Sequence, residues 1–217
     1  MTDLADKTDE QLAQQCQQEG SLDAFEELVQ RHEARLFNFL CQKAPRREDA
    51  EDLAQHTFIN AWQRIKQYRS ESSFATWLYT IARNLTISYY RKHGKVTHCE
   101  LEAAEPHLVE RETPADALSE IEEHAALWQT ARETLKEEAF DVLWMKYKEQ
   151  LSIAEIATVL NRTEISVKVM LHRARKKLGH VLEDSSDQEV APEPHSEPFP
   201  NLNKQIAFTQ GGTTCSV

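Results

Sequence analysis

The side chains best suited to chemistry lie between Arg47 and Lys92. Glu48, Asp49, Glu51 and Asp52 make an acidic block at the start of one helical stretch. Trp77, Tyr79, Arg83, Asn84, Arg91 and Lys92 bring aromatic, amide and cationic groups to the next. An amide such as Asn84 both donates to and accepts from a base edge, and arginine and lysine suit phosphate. The acidic block suits a protein surface instead. No catalytic constellation accompanies these residues. There is no HExxH, and the four cysteines, Cys16, Cys41, Cys99 and Cys215, form no CxxC spacing. His98 and Cys99 are the only close His/Cys pair. The expectation is therefore no catalytic residue, no metal and no cofactor, with reduced thiols that fit the cytoplasm.

A second constellation runs from Leu151 to Leu178. Ser152 and Glu155 have the spacing of a capping box before a short helix. Ile153, Ile156, Ala157 and Leu160 make its apolar face, and Asn161-Arg162-Thr163 supplies a turn. The following helix buries Val167, Leu171, Ala174 and Leu178 and turns Ile165, Lys168, Val169, His172, Arg173 and Lys176 outward. This is the layout of a helix-turn-helix, whose second helix enters the major groove. The plainer alternative is a helical hairpin whose terminal cations complement the helix dipole.

Long helices must position these groups. The glycines and prolines mark boundaries, among them Gly20, Pro45, Gly94, Pro106, Pro114 and Gly179. Three apolar stripes precede Gly94. Phe25, Leu28, Val29, His32, Leu36, Phe39 and Leu40 form the first. Leu53, Phe58, Ala61, Trp62 and Ile65 form the second. Phe74, Trp77, Leu78, Ile81, Ala82 and Leu85 form the third, with Trp77 read as core. Ser21 and Ser72 or Ser73 are N-cap candidates. No segment alternates with period two. The expected fold is all-α: a three-to-four-helix domain over 9–94, an acidic linker over 95–114, a helix-turn-helix domain over 115–182 and a disordered acidic tail over 183–217.

The net charge of −11 is unevenly distributed. Residues 61–95 carry +6 and residues 142–182 carry +5, between stretches of −7 (1–60), −10 (96–141) and −5 (183–217). Two basic islands fit two contacts with phosphate; two solvated helix faces would have the same charge. No membrane-spanning run and no export leader are evident, so no membrane insertion is expected.

The runs Asp49-Ala50-Glu51-Asp52-Leu53-Ala54-Gln55, Thr57-Phe58, Trp62, Ser73-Phe74-Ala75-Thr76-Trp77-Leu78-Tyr79 and Ile81-Ala82-Arg83-Asn84 resemble region two of RNA polymerase sigma factors of the extracytoplasmic-function (ECF) type. Leu171-His172-Arg173-Ala174-Arg175-Lys176-Lys177-Leu178 is similar to the end of their region four. The resemblance covers about residues 10–182. It implies a dissociable specificity subunit that binds core RNA polymerase, recognises promoter DNA and helps open the strands. It implies docking on the β′ clamp helices through Asp49, Asp52, Gln55 and His56, and contact with the β flap. His56 stands where the family usually has Glu. It implies handling of the minus-ten element by Tyr79, Arg83, Asn84, Arg91 and Lys92, with Tyr79 and Arg83 on the exposed side of their helix. It implies reading of the minus-thirty-five element by Lys168, Val169, His172, Arg173 and Lys176. Ile165, Val169 and Met170 replace a common Gly, Ser and Arg, which leaves either more contact with thymine methyls or a weaker grip. An anti-sigma partner also follows from the resemblance. A helix-turn-helix regulator that never joins polymerase is the alternative, and it leaves the Asp49–Asn84 block without a task.

Overall fold

The computed structural model describes residues 4–93 and 126–186, and within them all regular structure is helical. After a 3-10 turn at Leu4–Asp6 come α1 (Asp9–Glu19), α2 (Leu22–Cys41), α3 (Arg47–Arg64), a 3-10 turn at Ile65–Gln67 and α4 (Phe74–His93). The second unit contains α5 (126–134), α6 (Glu137–Tyr147), α7 (Ile153–Leu160) and α8 (Glu164–Ser186). No helix among the described residues is long and apolar enough to cross a membrane.

Local sequence sets the helix ends. Thr8 and Gln11 form a capping box on α1, and Gly20 stops that helix with φ 65°, a conformation glycine adopts without strain. Ser21 caps α2 by accepting from the Ala24 N–H at 3.2 Å. Of the two candidates before α4, Ser73 is the cap, accepting from Thr76 N–H at 3.3 Å. Ser152 and Glu155 close the expected capping box on α7, and Asn161 ends it in the left-handed region with φ 52°. Helix α8 departs from expectation. It runs through Gly179 to Ser186, four residues into the segment expected to be disordered. A helical glycine costs only about 1 kcal/mol against alanine. Leu178 on one side of it is buried and Leu182 on the other packs on the core, which carries the helix past it. The acidic linker 95–114 and the tail beyond residue 186 lie outside the described residues.

In the first unit the three expected stripes meet around Leu28, Leu36, Phe39, Leu53, Phe74 and Leu78. His32 is buried and its Nε2 lies 2.6 Å from Asp9 Oδ2, while Arg31 ties Asp9, Glu27 and the carbonyls of Leu4, Ala5 and Lys7 together. Gln17 donates to the carbonyls of Ile65 and Tyr68, fixing the turn before α4. In the second unit Trp128, Phe140 and Trp144 stack edge-to-face or tilted over a core of Met145, Ile156, Leu160, Leu171 and Leu178. The Cys16 and Cys41 thiols are buried, and desolvation pushes both up to about 11, so neither is a reactive thiolate.

The two units pack on each other, with α7 against α4. The seam between them carries polar contacts beside buried apolar ones. Lys43, after α2, is buried against Asp141 of α6 and lies 3.5 Å from Glu137. Arg35 of α2 reaches Glu149 at 3.0 Å and donates also to the Glu149 carbonyl at 3.0 Å. Glu155 accepts from Ser73 Oγ at 2.5 Å and Thr76 Oγ1 at 3.0 Å while its other oxygen holds the Ser152 N–H at 2.9 Å. One carboxylate thus caps α7 and ties it to the start of α4.

Removing one partner of a buried pair strands the other, at about 3–5 kcal/mol. Lys43→Met is expected to lower the urea midpoint or expand the molecule in small-angle scattering, because Asp141 escapes only by taking a proton or opening the seam. Lys43→Met/Asp141→Leu should recover most of the loss. A single variant as stable and compact as wild type would contradict the pairing. Burial raises the Glu155 carboxyl, but hydrogen bonds from Ser73, Ser152 and Thr76 outweigh it and hold the group below 4.5. A lowered carboxyl stabilises fully above its unfolded value and loses that contribution as pH falls through the folded one. Compactness should therefore fall on acidification below about pH 4.5, and Glu155→Gln should flatten that part of the profile.

Candidate nucleic-acid interface

Helix α3 presents one polar face. Asp52, Gln55 and His56 are exposed and lie within a turn of one another, as expected. Ile59, 45% exposed, continues the same face, and the sequence reading passed over it. An isoleucine left outside all three apolar stripes was the available signal. Asp49 differs from its companions. Its side chain is only 12% exposed and is held by Arg46 at 3.0 and 3.2 Å, beside the Tyr89 hydroxyl. It serves the start of its own helix, where a negative charge complements the dipole, and is not part of the open face.

On α4, Asn84 is exposed, with Thr80 one turn before it, Ser88 one turn after it and Arg91 further along the same face. Lys92 is also exposed, nearer the helix flank. Trp77, two turns before Asn84 on the same face, is half-buried against Tyr68 and Phe74 with centroids 5.3 and 5.8 Å away. It is a packing residue with one open edge. Tyr68, absent from the sequence reading, is buried beneath it and donates its hydroxyl to the Ser72 carbonyl.

Two expected residues are placed otherwise. Tyr79 is 1% exposed and packs edge-on against Phe39 at 5.3 Å, so it is not on an open face. Burial, with the Glu149 carboxylate nearby, holds its phenol well above the ordinary range. Arg83 is 23% exposed and points toward Glu138 of α6, 4.0 Å away, in a cleft of about 470 Å³ shared with Lys43, Thr86 and Ile87. Arg83 faces the second unit, whereas Tyr79 is buried between Phe39 of α2 and the Glu149 carboxylate of the second unit.

On α8, Lys168, Val169, His172, Arg173 and Lys176 are all exposed, opposite the buried line Val167, Leu171, Ala174 and Leu178. The turn before α8 is clamped where Arg162 grips Glu138 with bonds of 3.0 and 3.2 Å. Thr163 caps α8 by accepting from the Ser166 N–H at 3.3 Å. Not every cation faces outward. Lys177 donates to the Thr134 carbonyl, and Arg175 lies 3.5 Å from the Tyr147 hydroxyl. The helix thus offers an outer face on which Lys168, Arg173 and Lys176 are exposed.

Comparison with known proteins decides the family. Residues 28–96 match Sigma-70 region 2, and residues 126–178 match Sigma-70, region 4. The chain is 32% identical over 169 residues to RNA polymerase sigma factor YlaC of Bacillus subtilis (strain 168), covering 77% of this chain and 96% of that protein. It is 30% identical over 173 residues to ECF RNA polymerase sigma factor SigW of the same organism, covering 76% and 92%. The chain belongs to the ECF sigma factors. Its fold is also similar to that of CnrH, solved in complex with the cytosolic domain of CnrY, with a TM-score of 0.59, 25% identity and coverage of 82% of this chain and 99% of CnrH. As an ECF sigma factor it is a promoter-recognising subunit for transcription initiation by RNA polymerase.

Tyr79 gives a direct check of the corrected site. Tyr79→Phe should leave promoter base preference unchanged, since the ring faces Phe39 and not solvent. Stability should change by about 1 kcal/mol or less, the net worth of one hydroxyl contact. A preference altered at one minus-ten position would return Tyr79 to the DNA face.

Proposed function

We propose a division of labour for this sigma factor in which residues 9–94 join polymerase and handle the minus-ten element, and residues 115–182 read the minus-thirty-five element. The observation that carries it is the sorting of exposed groups. An acidic face on α3, an amide-and-cation face on α4 and a basic face on α8 point outward from separate helices. Asp52, Gln55 and His56, extended by Ile59, dock on core polymerase. Asn84 reads an unpaired base, and Arg91 and Lys92 follow the backbone. Lys168, Val169, His172, Arg173 and Lys176 face the upstream duplex. The factor makes and breaks no bond itself, and it works in the cytoplasm with polymerase. An anti-sigma protein is a further partner, in keeping with the complex of CnrH with CnrY.

Promoter geometry constrains the seam. Elements 25 base pairs apart are separated by about 85 Å at about 3.4 Å per pair. A compact body of about 150 residues has a radius of gyration of only about 15 Å. Both units bind one promoter only after Lys43 and Asp141 part. The 32 residues from 94 to 125 reach at most about 110 Å at about 3.5 Å each, which suffices.

Promoter-dependent transcription with purified core polymerase tests the assignment. Asp52→Lys should abolish co-purification with core while helical content stays as in wild type. Asn84→Ala should bind core normally and lose about 1–3 kcal/mol of discrimination at one minus-ten position. Wild-type docking by the first variant, or an unchanged preference profile for the second, would remove the corresponding role.

A further inference from the structure

Two large apolar side chains stand in solvent on the helix-turn-helix. Ile165 is 75% exposed and Val169 is 41% exposed. Neither belongs to the core of the second unit, which α8 completes from its other side through Val167, Leu171, Ala174 and Leu178, each 7% exposed or less. β-Branched residues are also not favoured on a solvated helix face, where they lose side-chain freedom for no packing return. The pair lies one turn apart, and its neighbours Lys168, His172, Arg173 and Lys176 are polar and exposed.

An apolar pair flanked by cations, with Glu164 beside Lys168 at 3.9 Å, is complementary to a surface with an anionic rim and apolar spots in its floor. The major groove is such a surface. Phosphates line its edges, and the thymine 5-methyl is the apolar group exposed on its floor. Position and spacing agree. Ile165 is the second residue of α8, in the part of a recognition helix that reaches base edges. Residues four apart rise about 6 Å along the helix, against about 3.4 Å for one base-pair step. The bond between Arg162 and Glu138 ties the turn before α8 to α6.

We propose that Ile165 and Val169 form an apolar reader of thymine methyl groups, one or two base pairs apart, in the upstream promoter element. The inference rests on the assignment of α8 to that element and adds what the helix recognises there. Discrimination then comes from methyl burial, with Lys168, Arg173 and Lys176 supplying sequence-blind attraction to phosphate.

The test uses the full chain with core polymerase to select promoters from a library randomised upstream. Each thymine of the selected element is then replaced by deoxyuridine, which lacks only the methyl group and keeps every hydrogen bond. Wild type should bind about fourfold more weakly for each contacted methyl removed. Ile165→Ala should bind thymine and deoxyuridine versions of one position equally, and Ile165→Val should restore part of the difference. Binding indifferent to deoxyuridine at every position of an enriched element would overturn the reader while leaving the promoter assignment intact. No enrichment in the upstream element would overturn the assignment of α8 itself. If the chain alone dimerises and Ile165→Ala abolishes the dimer, the exposed pair serves a second copy and the proposal fails.

Discussion

The relation between the two helical units turns on charges that neither unit satisfies by itself. Lys43 is buried only because α6 lies over it, and Asp141 is buried only because Lys43 does. Burial pushes the Asp141 carboxyl up, against the pull of Lys43. Arg35 with Glu149 and Glu155 with Ser73 and Thr76 extend the same logic along the seam. An apolar seam of equal area would expose its surface to water on opening, at a cost that grows with area. In a polar seam, each charge recovers its hydration when the units part. Those polar contacts hold the units in register when closed.

The seam also explains where sequence reasoning succeeded and where it stopped. Periodicity located the cores, because α2, α3, α4 and α8 each bury one stripe against neighbours in their own unit. Cap chemistry located the ends, because Ser21, Ser73, Ser152 and Asn161 act on residues three or four positions away. These are short-range facts, and a single sequence carries them. Tyr79 and Arg83 were misplaced for a different reason. A stripe says which side of α4 faces its own unit and nothing about a second body covering another side. One long-range signal was present. Asp141 interrupts the apolar run Phe140-Asp141-Val142-Leu143-Trp144-Met145, and an acid in such a run implies a buried partner cation. Lys43 carries no comparable mark.

The acidic helix gives a second example of composition read too evenly. Glu48, Asp49, Glu51 and Asp52 look alike as a block, yet they work at different ranges. Asp49 is folded back on Arg46, and Glu51 pairs with Arg47 at 3.1 Å across one turn. Those contacts stabilise the first turns of α3, where acids are favoured. Asp52 and Gln55 follow, past the local cations, and are left to face outward with Ile59. The open face is therefore smaller and less charged than the motif suggests, and Ile59 extends it with an apolar group. That composition suits a protein interface, where a central apolar anchor and a polar rim are the rule.

Helix α8 repeats the lesson in the opposite sign. Its segment carries a net +5, but a net charge is not a number of phosphate contacts. Arg175 and Lys177 lean back toward Tyr147 and Thr134, and Arg162 is engaged by Glu138. Lys168, Arg173 and Lys176 remain on the outer side with His172. Arg162, Arg175 and Lys177 are exposed as well, so the cations of this unit differ less in exposure than in the partners each already holds. The apolar Ile165 and Val169 stand on the same outer side as Lys168, Arg173 and Lys176, with His172 beside them.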